Sequence, residues 1–429
     1  MLLGLLIGAA AGTLTLIIGG FFPVILDGAR SVSTAVFDPL GQVFLRLLFF
    51  VVIPLVFASL ANGVAQLEEL SELGPLAART FALFFLNMAI AVALGLAMMN
   101  IVAPGSAMDP EAQSTLLAEY GGSAAEVVEI QASSPKVTVM TVVDMFMPRN
   151  LFGAFIGNDR NRLGDVLPLI LFAILVGAAA IHMPREQRRS MRSGLEIMNG
   201  LMTRIVHFAL MLAPIAVPAM IYSVILKIGW DIVLALGVFV VSCVFVLLLH
   251  LFGTMSLWLK LWTKHGPLWF WSEIRPVLVT AFSTSSSAAT LPTALTVSRE
   301  SIGVRNSVAG FVLPLGATMN MAGTALYEGC VVLFIAQVFG VDLSLTQQVT
   351  LLLLTVLSAV AVAAIPGGSL PLIAGLLASF GIPPEGIGII LGVDRLLDMV
   401  RTTVNVGADM VTSAVVDEKS PLHLDPDSD

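Results

Sequence analysis

The chain has 429 residues, of which 57% are apolar and only 12% charged, against roughly 25% charged in an ordinary globular domain. A single soluble core stops growing near ~250–300 residues, so folding alone cannot hide this much apolar sequence from water, and the chain belongs in a bilayer. The net charge of −8, with no dense Lys/Arg cluster, argues against nucleic acid as a partner, and the two cysteines, Cys243 and Cys330, are too few for a disulfide framework or a cysteine-rich zinc site.

A transmembrane helix takes about 20 mostly apolar residues. Such stretches are predicted at 3–26, 38–64, 80–103, 150–181, 195–224 and 229–258. No basic residue precedes the first apolar run, so it reads as a retained span and not as a leader. Asn158-Asp159-Arg160-Asn161-Arg162 interrupts 150–181 ahead of Leu167-Pro168-Leu169 and predicts a break there. The stretch 104–148 is long and polar, with Asp109, Glu111, Glu119, Glu126 and Glu129 against Lys136. By contrast, 182–192 carries Arg185, Arg188, Arg189 and Arg192, and 259–275 carries Lys260, Lys264 and Arg275. The positive-inside rule places the two basic stretches in the cytoplasm, 104–148 outside, and both termini in the cytoplasm. The stretch 65–79, with Glu68, Glu69, Glu72 and Arg79, is cytoplasmic in this topology despite its acidity, because acidic residues weigh little in the rule.

The last 160 or so residues follow another pattern. Around 276–297, two apolar pieces too short to span flank a run from Ser283 to Thr290; around 351–382, two more flank Ile365-Pro366-Gly367-Gly368-Ser369. Each pair is followed by a helix-length segment with polar residues, 305–337 and 386–416. Paired, interrupted apolar segments at matching positions of two halves point to the binding site of a transporter. A helix broken at membrane depth frees N–H and C=O groups, which only protein, ion or water can satisfy. Ordinary helix pairs or badly bounded spans are the alternative.

Within 386–416, Asp394, Asp398, Arg401, Thr402, Asn405 and Asp409 fall within an arc of about 100° on one helix face. An ionisable residue at the centre of a lipid-exposed helix costs about 2.5–3.5 kcal/mol, whereas each Leu, Ile or Val returns only about 0.3–0.6. This face must therefore look into a bundle or a wet cavity. It is either a ligand site or an ion-pair ladder locking helices together. Arg401 offers a planar fork suited to a carboxylate, and Asp398, one turn earlier, can accept from an ammonium group. An amino acid with an acidic side chain would satisfy both. Asn405 and Asp409 offer oxygens, one turn apart, to a small hard cation.

These residues resemble the glutamate transporters, also called dicarboxylate/amino acid:cation symporters, across essentially the whole chain and most densely over 276–416. The resemblance rests on Thr284-Ser285-Ser286-Ser287-Ala288-Ala289-Thr290-Leu291-Pro292, Leu313-Pro314-Leu315-Gly316-Ala317-Thr318 and Asn320-Met321-Ala322-Gly323-Thr324-Ala325-Leu326-Tyr327-Glu328. It rests also on Ile365-Pro366-Gly367-Gly368 and Asp398-Met399-Val400-Arg401-Thr402-Thr403-Val404-Asn405. It implies an all-α polytopic membrane protein with eight transmembrane helices, two re-entrant helical hairpins and inverted repeats, assembled as a homotrimer in the inner or plasma membrane. Residues 1–64 and 149–224 would form a scaffold (spans one, two, four and five). Residues 65–103 (span three) and 225–418 (span six, the first hairpin, span seven, the second hairpin and span eight) would form a transport domain. That domain would slide as a rigid unit, an elevator motion. Residues 104–148 would be an extracellular loop and 419–429 a cytoplasmic tail.

Residue by residue, the resemblance implies that Arg401 binds the substrate's side-chain carboxylate and Asp398 its amino group. Thr402, Asn405, Thr324, Ser286 and Ser287 would make further substrate contacts. Gly316, Asn320, Asn405 and Asp409 match one sodium site, and Thr318 with the carbonyls near 359–362 matches a second. The second hairpin, with Pro366, Gly367 and Gly368 at its tip, would be the outer gate. No cofactor is implied; sodium and protons are the coupling ions, and the lipid bilayer, the acidic amino acid and further copies of the chain are the partners.

Departures carry information too. Where the family has an aspartate after Asn-Met in span seven, this chain has Ala322, and the polar positions of span three that complete a third sodium site match Phe84, Asn87 and Met88 here. That correlated loss implies an absent third sodium. Glu328 matches the glutamate that carries a proton in proton-coupled members, and burial disfavours the charged form of a carboxyl. Ser285 replaces an arginine found in some members, and Ser369 stands where a gate glycine is common. His182, His207, His250 and His265 lack metal-like spacing and read as packing or interfacial residues. The expected function is a secondary active symporter importing glutamate or aspartate with sodium and protons. Alternatives are a purely proton-coupled acidic amino acid or C4-dicarboxylate symporter, an anion channel, and an intramembrane hydrolase; the serine run lacks a nucleophile elbow for the last.

Overall fold

A computed structural model describes residues 2–65, 75–107, 147, 149–156, 166–228, 231–361 and 369–419. Among them the chain is all-helical and no residue lies in a strand, as a backbone in lipid requires if its polar groups are to pair within their own segments. Phe22 alone separates helix α1 (Leu2–Phe21) from Pro23, which opens α2 (Pro23–Val32). A π-turn at Ser33–Phe37 leads into α3 (Asp38–Phe50), and Val51 parts α3 from α4 (Val52–Ala65). Next come α5 (Pro75–Val102), α6 (Leu151–Ile156) and α7 (Val166–Ile181). The break expected at 158–162 and nearly all of the loop 104–148 lie outside the described residues.

Helix α8 (Arg185–Ile228) takes in most of the basic stretch 182–192, with Arg185, Arg188, Arg189 and Arg192 in its opening turns. The helix bends by 49° between Arg185–Val206 and Met211–Lys227. Pro214 explains the position, since its ring clashes with the carbonyl four residues earlier and its nitrogen donates nothing.

The second half comprises α9 (Asp231–Leu249), a π-turn at His250–Thr254, α10 (Met255–Trp262) and α11 (Pro267–Glu273). The stretch 276–297 is indeed two short helices, α12 (Arg275–Thr284) and α13 (Ser287–Val297), packed on each other. The segment 305–337, expected as one helix, is broken into α14 (Asn306–Met319) and α15 (Ala322–Val338). Then α16 (Leu345–Ala361) and α17 (Leu370–Ser379) flank the second interruption, and α18 (Ile387–Lys419) runs unbroken to the end of the described chain.

Two groups of helices emerge from the packing. In one, α1, α3 and α4 lie on α8, and α7 lies on α4. In the other, α5 packs on α15, while α9, α10, α12, α14 and α15 surround α18. Among the described residues, Pro75–Ser106, Ile232–Trp262 and Asn306–Val338 are long and apolar enough to cross a bilayer, and the bent α8 is a further candidate. Asn306–Val338 differs from the first two: its most apolar window is 94% buried, against 39% and 44%. It is an inner helix pair, enclosed by protein and not by lipid.

Candidate substrate and ion site

Helix α18 turns its polar stripe inward. Asp394, Asp398, Arg401, Thr402, Asn405 and Asp409 are each only 2–4% exposed, so the face predicted to avoid lipid does so. Opposite it stand the broken pair α14–α15 and the short helix α12.

At one end of the stripe the charges pair with one another. Arg401 donates from Nε to Asp398 Oδ1 at 2.8 Å and from a terminal nitrogen to Asp394 Oδ1 at 3.3 Å. Its other terminal nitrogen lies 2.8 Å from Asp398 Oδ1, and the guanidinium sits 4.6 Å from the centroid of the Tyr327 ring. Tyr327 in turn donates its hydroxyl to Asp394 Oδ1 at 2.8 Å. The second oxygen of Asp398 is 3.6 Å from Arg395, a half-exposed side chain. Asp394 lies on the predicted face without an assigned partner, and Tyr327 is not legible there, because a 100° face on one helix says nothing of the aromatic ring that a neighbouring helix presents to it.

In the middle of the stripe, Asn405 satisfies the broken helix. Met319 ends α14, Asn320 and Met321 leave helical geometry, and α15 starts with unpaired N–H groups. Asn405 Oδ1 accepts from the N–H of Gly323 at 2.7 Å and of Thr324 at 3.2 Å. Its Nδ2 donates to Thr324 Oγ1 at 3.0 Å and approaches Met321 Sδ at 3.3 Å. A side chain of α18 thus caps α15 in place of water.

Further along, Asp409 Oδ1 accepts from Asn320 Nδ2 at 2.8 Å. Gly316 lies directly against the Asp409 carboxyl, whose Cγ would be 2.6 Å from any Cβ at that position, so only glycine admits the carboxylate here. The structure therefore gathers Gly316, Asn320, Asn405 and Asp409 around the end of α14. Thr318 stands apart: it is exposed and donates to the Leu315 carbonyl at 3.0 Å. Phe84, Asn87, Met88 and Ala322 are all buried. Asn87 Nδ2 donates to Asn320 Oδ1 at 3.0 Å. His250, read as a packing residue, bonds Asn87 through Nε2 at 3.0 Å.

The turn between α12 and α13 lies in the short helix pair packed beside α18 and α14. Ser285 adopts φ 50°, ψ 35°, the left-handed region that costs a non-glycine residue about 1–2 kcal/mol. Its hydroxyl is buried with no hydrogen-bond partner among the described residues. Ser286 caps α13, its Oγ accepting from the Ala289 N–H at 3.2 Å, and Ser287 is buried. Ser369, at the start of α17, is likewise buried with no partner for its hydroxyl among the described residues, whereas Pro366, Gly367 and Gly368 lie outside them. Glu328 is fully buried on α15; its Oε2 accepts from Ser358 of α16 at 2.6 Å, and its Oε1 has no partner among the described residues.

A charge-paired stripe enclosed by protein, a helix broken opposite it and short paired helices at its flank are the features of a secondary transporter that binds charged cargo at membrane depth. The chain belongs to the Sodium:dicarboxylate symporter family, whose description matches residues 1–419. It is 32% identical over 408 residues to a proton/sodium-glutamate symport protein of Bacillus subtilis (strain 168), covering 94% of this chain and 90% of that one. It is 28% identical over 409 residues to a proton/glutamate-aspartate symporter of Escherichia coli (strain K12), covering 95% and 90%. A C4-dicarboxylate transport protein of Bacillus subtilis is 28% identical over 387 residues, covering 88% and 86%.

Proposed function

We propose that the protein is a secondary active symporter that imports glutamate or aspartate using sodium and proton gradients. The observation that carries this reading is the buried pairing of Arg401 with Asp398, beside Thr324, Thr402 and Asn405. An acidic amino acid exchanges partners with that pair. Its side-chain carboxylate takes the Arg401 fork and its ammonium takes Asp398, so no buried charge is left alone, the state that costs most in a low-dielectric interior. Asp394 and Tyr327 hold the guanidinium in place through the exchange. A C4-dicarboxylate would free Asp398 from Arg401 and supply no cation in return.

Sodium is held between the Asp409 carboxylate, Asn405 and the carbonyls at the end of α14 that the Asn320–Met321 break releases. A hard cation prefers such oxygens at the carboxyl end of a half-helix. A second sodium binds near Thr318 and the end of α16. The third is absent, because Ala322 supplies no carboxylate and Asn87 donates where a ligand would be needed. Residues 1–64 and 149–224 act as the scaffold of a homotrimer, and 65–103 with 225–418 as the moving transport domain. The grouping of α1, α3 and α4 on α8, and of α5 on α15, supports this division; α1 and α8 meet the second group along α18. Coupling arises because substrate and cations together favour the closed, movable form; a ligand binding both gate states equally would couple nothing.

Reconstituted uptake of radiolabelled aspartate and glutamate, with sodium and proton gradients imposed separately, tests the reading. Either gradient alone is expected to drive accumulation, succinate is expected to compete poorly, and the sodium-to-substrate ratio is expected to be two. Equilibration without accumulation would mark a channel, and a ratio of three would restore the third sodium. Glu328 is the proton carrier in this scheme, coupled to the gate helix through Ser358. Uptake by the wild type is expected to rise as external pH falls, and Glu328→Gln to flatten that profile. An unchanged profile removes Glu328 from proton coupling.

A further inference from the structure

A chain of hydrogen bonds leads from the middle of α9–α10 to the proposed sodium site, and its direction is set from one end. The Asp409 carboxylate can only accept, so Asn320 must turn Nδ2 to it (2.8 Å) and Oδ1 away. That oxygen needs a donor, which is Asn87 Nδ2 at 3.0 Å. Asn87 then has only its oxygen left for His250, whose Nε2 at 3.0 Å must carry the hydrogen. The four residues come from α5, the break after α14, α18 and the π-turn, and all are buried. None of the three links can be reversed without setting two donors or two acceptors face to face.

His250 is costly as a packing residue. It is fully buried, and its Nδ1 has no hydrogen-bond partner among the described residues, a loss that an apolar side chain of similar size would avoid. The π-turn His250–Thr254 shifts the helical register at this point and aims the ring at Asn87, and such turns recur at functional sites. The next residue, Leu251, lies against Gly407 of α18, between Asn405 and Asp409; a Cβ on Gly407 would stand 2.5 Å from Leu251 Cδ1. The π-turn is thereby seated on the same stretch of α18 that carries the sodium-site side chains.

We propose that His250 and Asn87 are positioning residues of the sodium site, holding the Asn320 amide in the one orientation that donates to Asp409. They touch neither substrate nor cation. Without them the amide is free to turn its oxygen toward Asp409, and the carboxylate loses the partner that fixes its rotamer beside Gly316. The proposal rests on Asp409 and Asn320 belonging to a sodium site.

The test is sodium activation of aspartate uptake in proteoliposomes for the wild type, His250→Leu, Asn87→Ala, the double variant and His250→Gln. His250→Leu and Asn87→Ala are expected to raise half-saturating sodium about fivefold or more, with aspartate KM at saturating sodium changed less than twofold. The double variant is expected to match the single ones, because both act through Asn320. His250→Gln, which keeps an N–H donor, is expected to stay within twofold of the wild type. If His250→Leu does not assemble, Asn87→Ala and His250→Gln carry the comparison. Half-saturating sodium unchanged in Asn87→Ala, or raised in His250→Gln as much as in the donor-free variants, overturns the proposal. A wild type indifferent to sodium overturns the sodium-site reading itself, and that result is visible before any variant is compared.

Discussion

Arg401→Ala is expected to lower kcat/KM for aspartate and glutamate by about 100- to 4000-fold. The arginine is 2% exposed and joined to Asp394, Asp398 and Tyr327. Removing one partner of a buried charge network costs about 3–5 kcal/mol, and every ~1.4 kcal/mol is a factor of ten. The loss has two parts: the substrate carboxylate has no fork to meet, and Asp394 and Asp398 are left facing each other with no guanidinium between them. Arg401→Lys keeps the charge but not the paired geometry, so it is expected to recover part of the rate and little of the preference for acidic over neutral side chains. Initial-rate uptake of labelled aspartate, with alanine and serine as competitors, separates these effects. Wild-type aspartate uptake by Arg401→Ala would place the substrate elsewhere.

The second large effect is expected at Asp409. Asp409→Asn is isosteric and its amide oxygen can still accept from Asn320, so the contact with Gly316 and the bond across to α14 survive. What disappears is the negative charge. Half-saturating sodium is expected to rise about 10- to 100-fold, roughly 1.4–2.8 kcal/mol by the same conversion, and uptake driven by sodium is expected to fail at physiological gradients. Sodium titration of aspartate binding to the purified protein measures this without requiring transport. An unchanged titration would show that Asp409 is no sodium ligand.

Much of the membrane half of this account was legible in the residues. The inward stripe of α18 followed from the cost of charge in lipid, and α18 does bury each member of it. The short helices α12 and α13 followed from two apolar pieces too brief to span. Two things were not legible. The break at Asn320–Met321 carries no proline at the break itself and no run of polar residues, so 305–337 reads as one helix; it is held open by Asn405, which lies 81 residues or more beyond the groups it caps. The role of His250 was hidden for a similar reason. A histidine in an apolar run has no local signature, and only the packing of α5, α14 and the π-turn around α18 brings it within reach of Asn87.

Whether the cargo displaces the internal ion pair is decided most directly by a structure of the purified protein with aspartate and sodium bound. The aspartate side-chain carboxylate is expected on the Arg401 fork and the ammonium on Asp398, with the direct Arg401–Asp398 bond opened while Asp394 and Tyr327 stay in place. Aspartate bound away from α18, with Arg401 and Asp398 still joined to each other, would contradict this exchange.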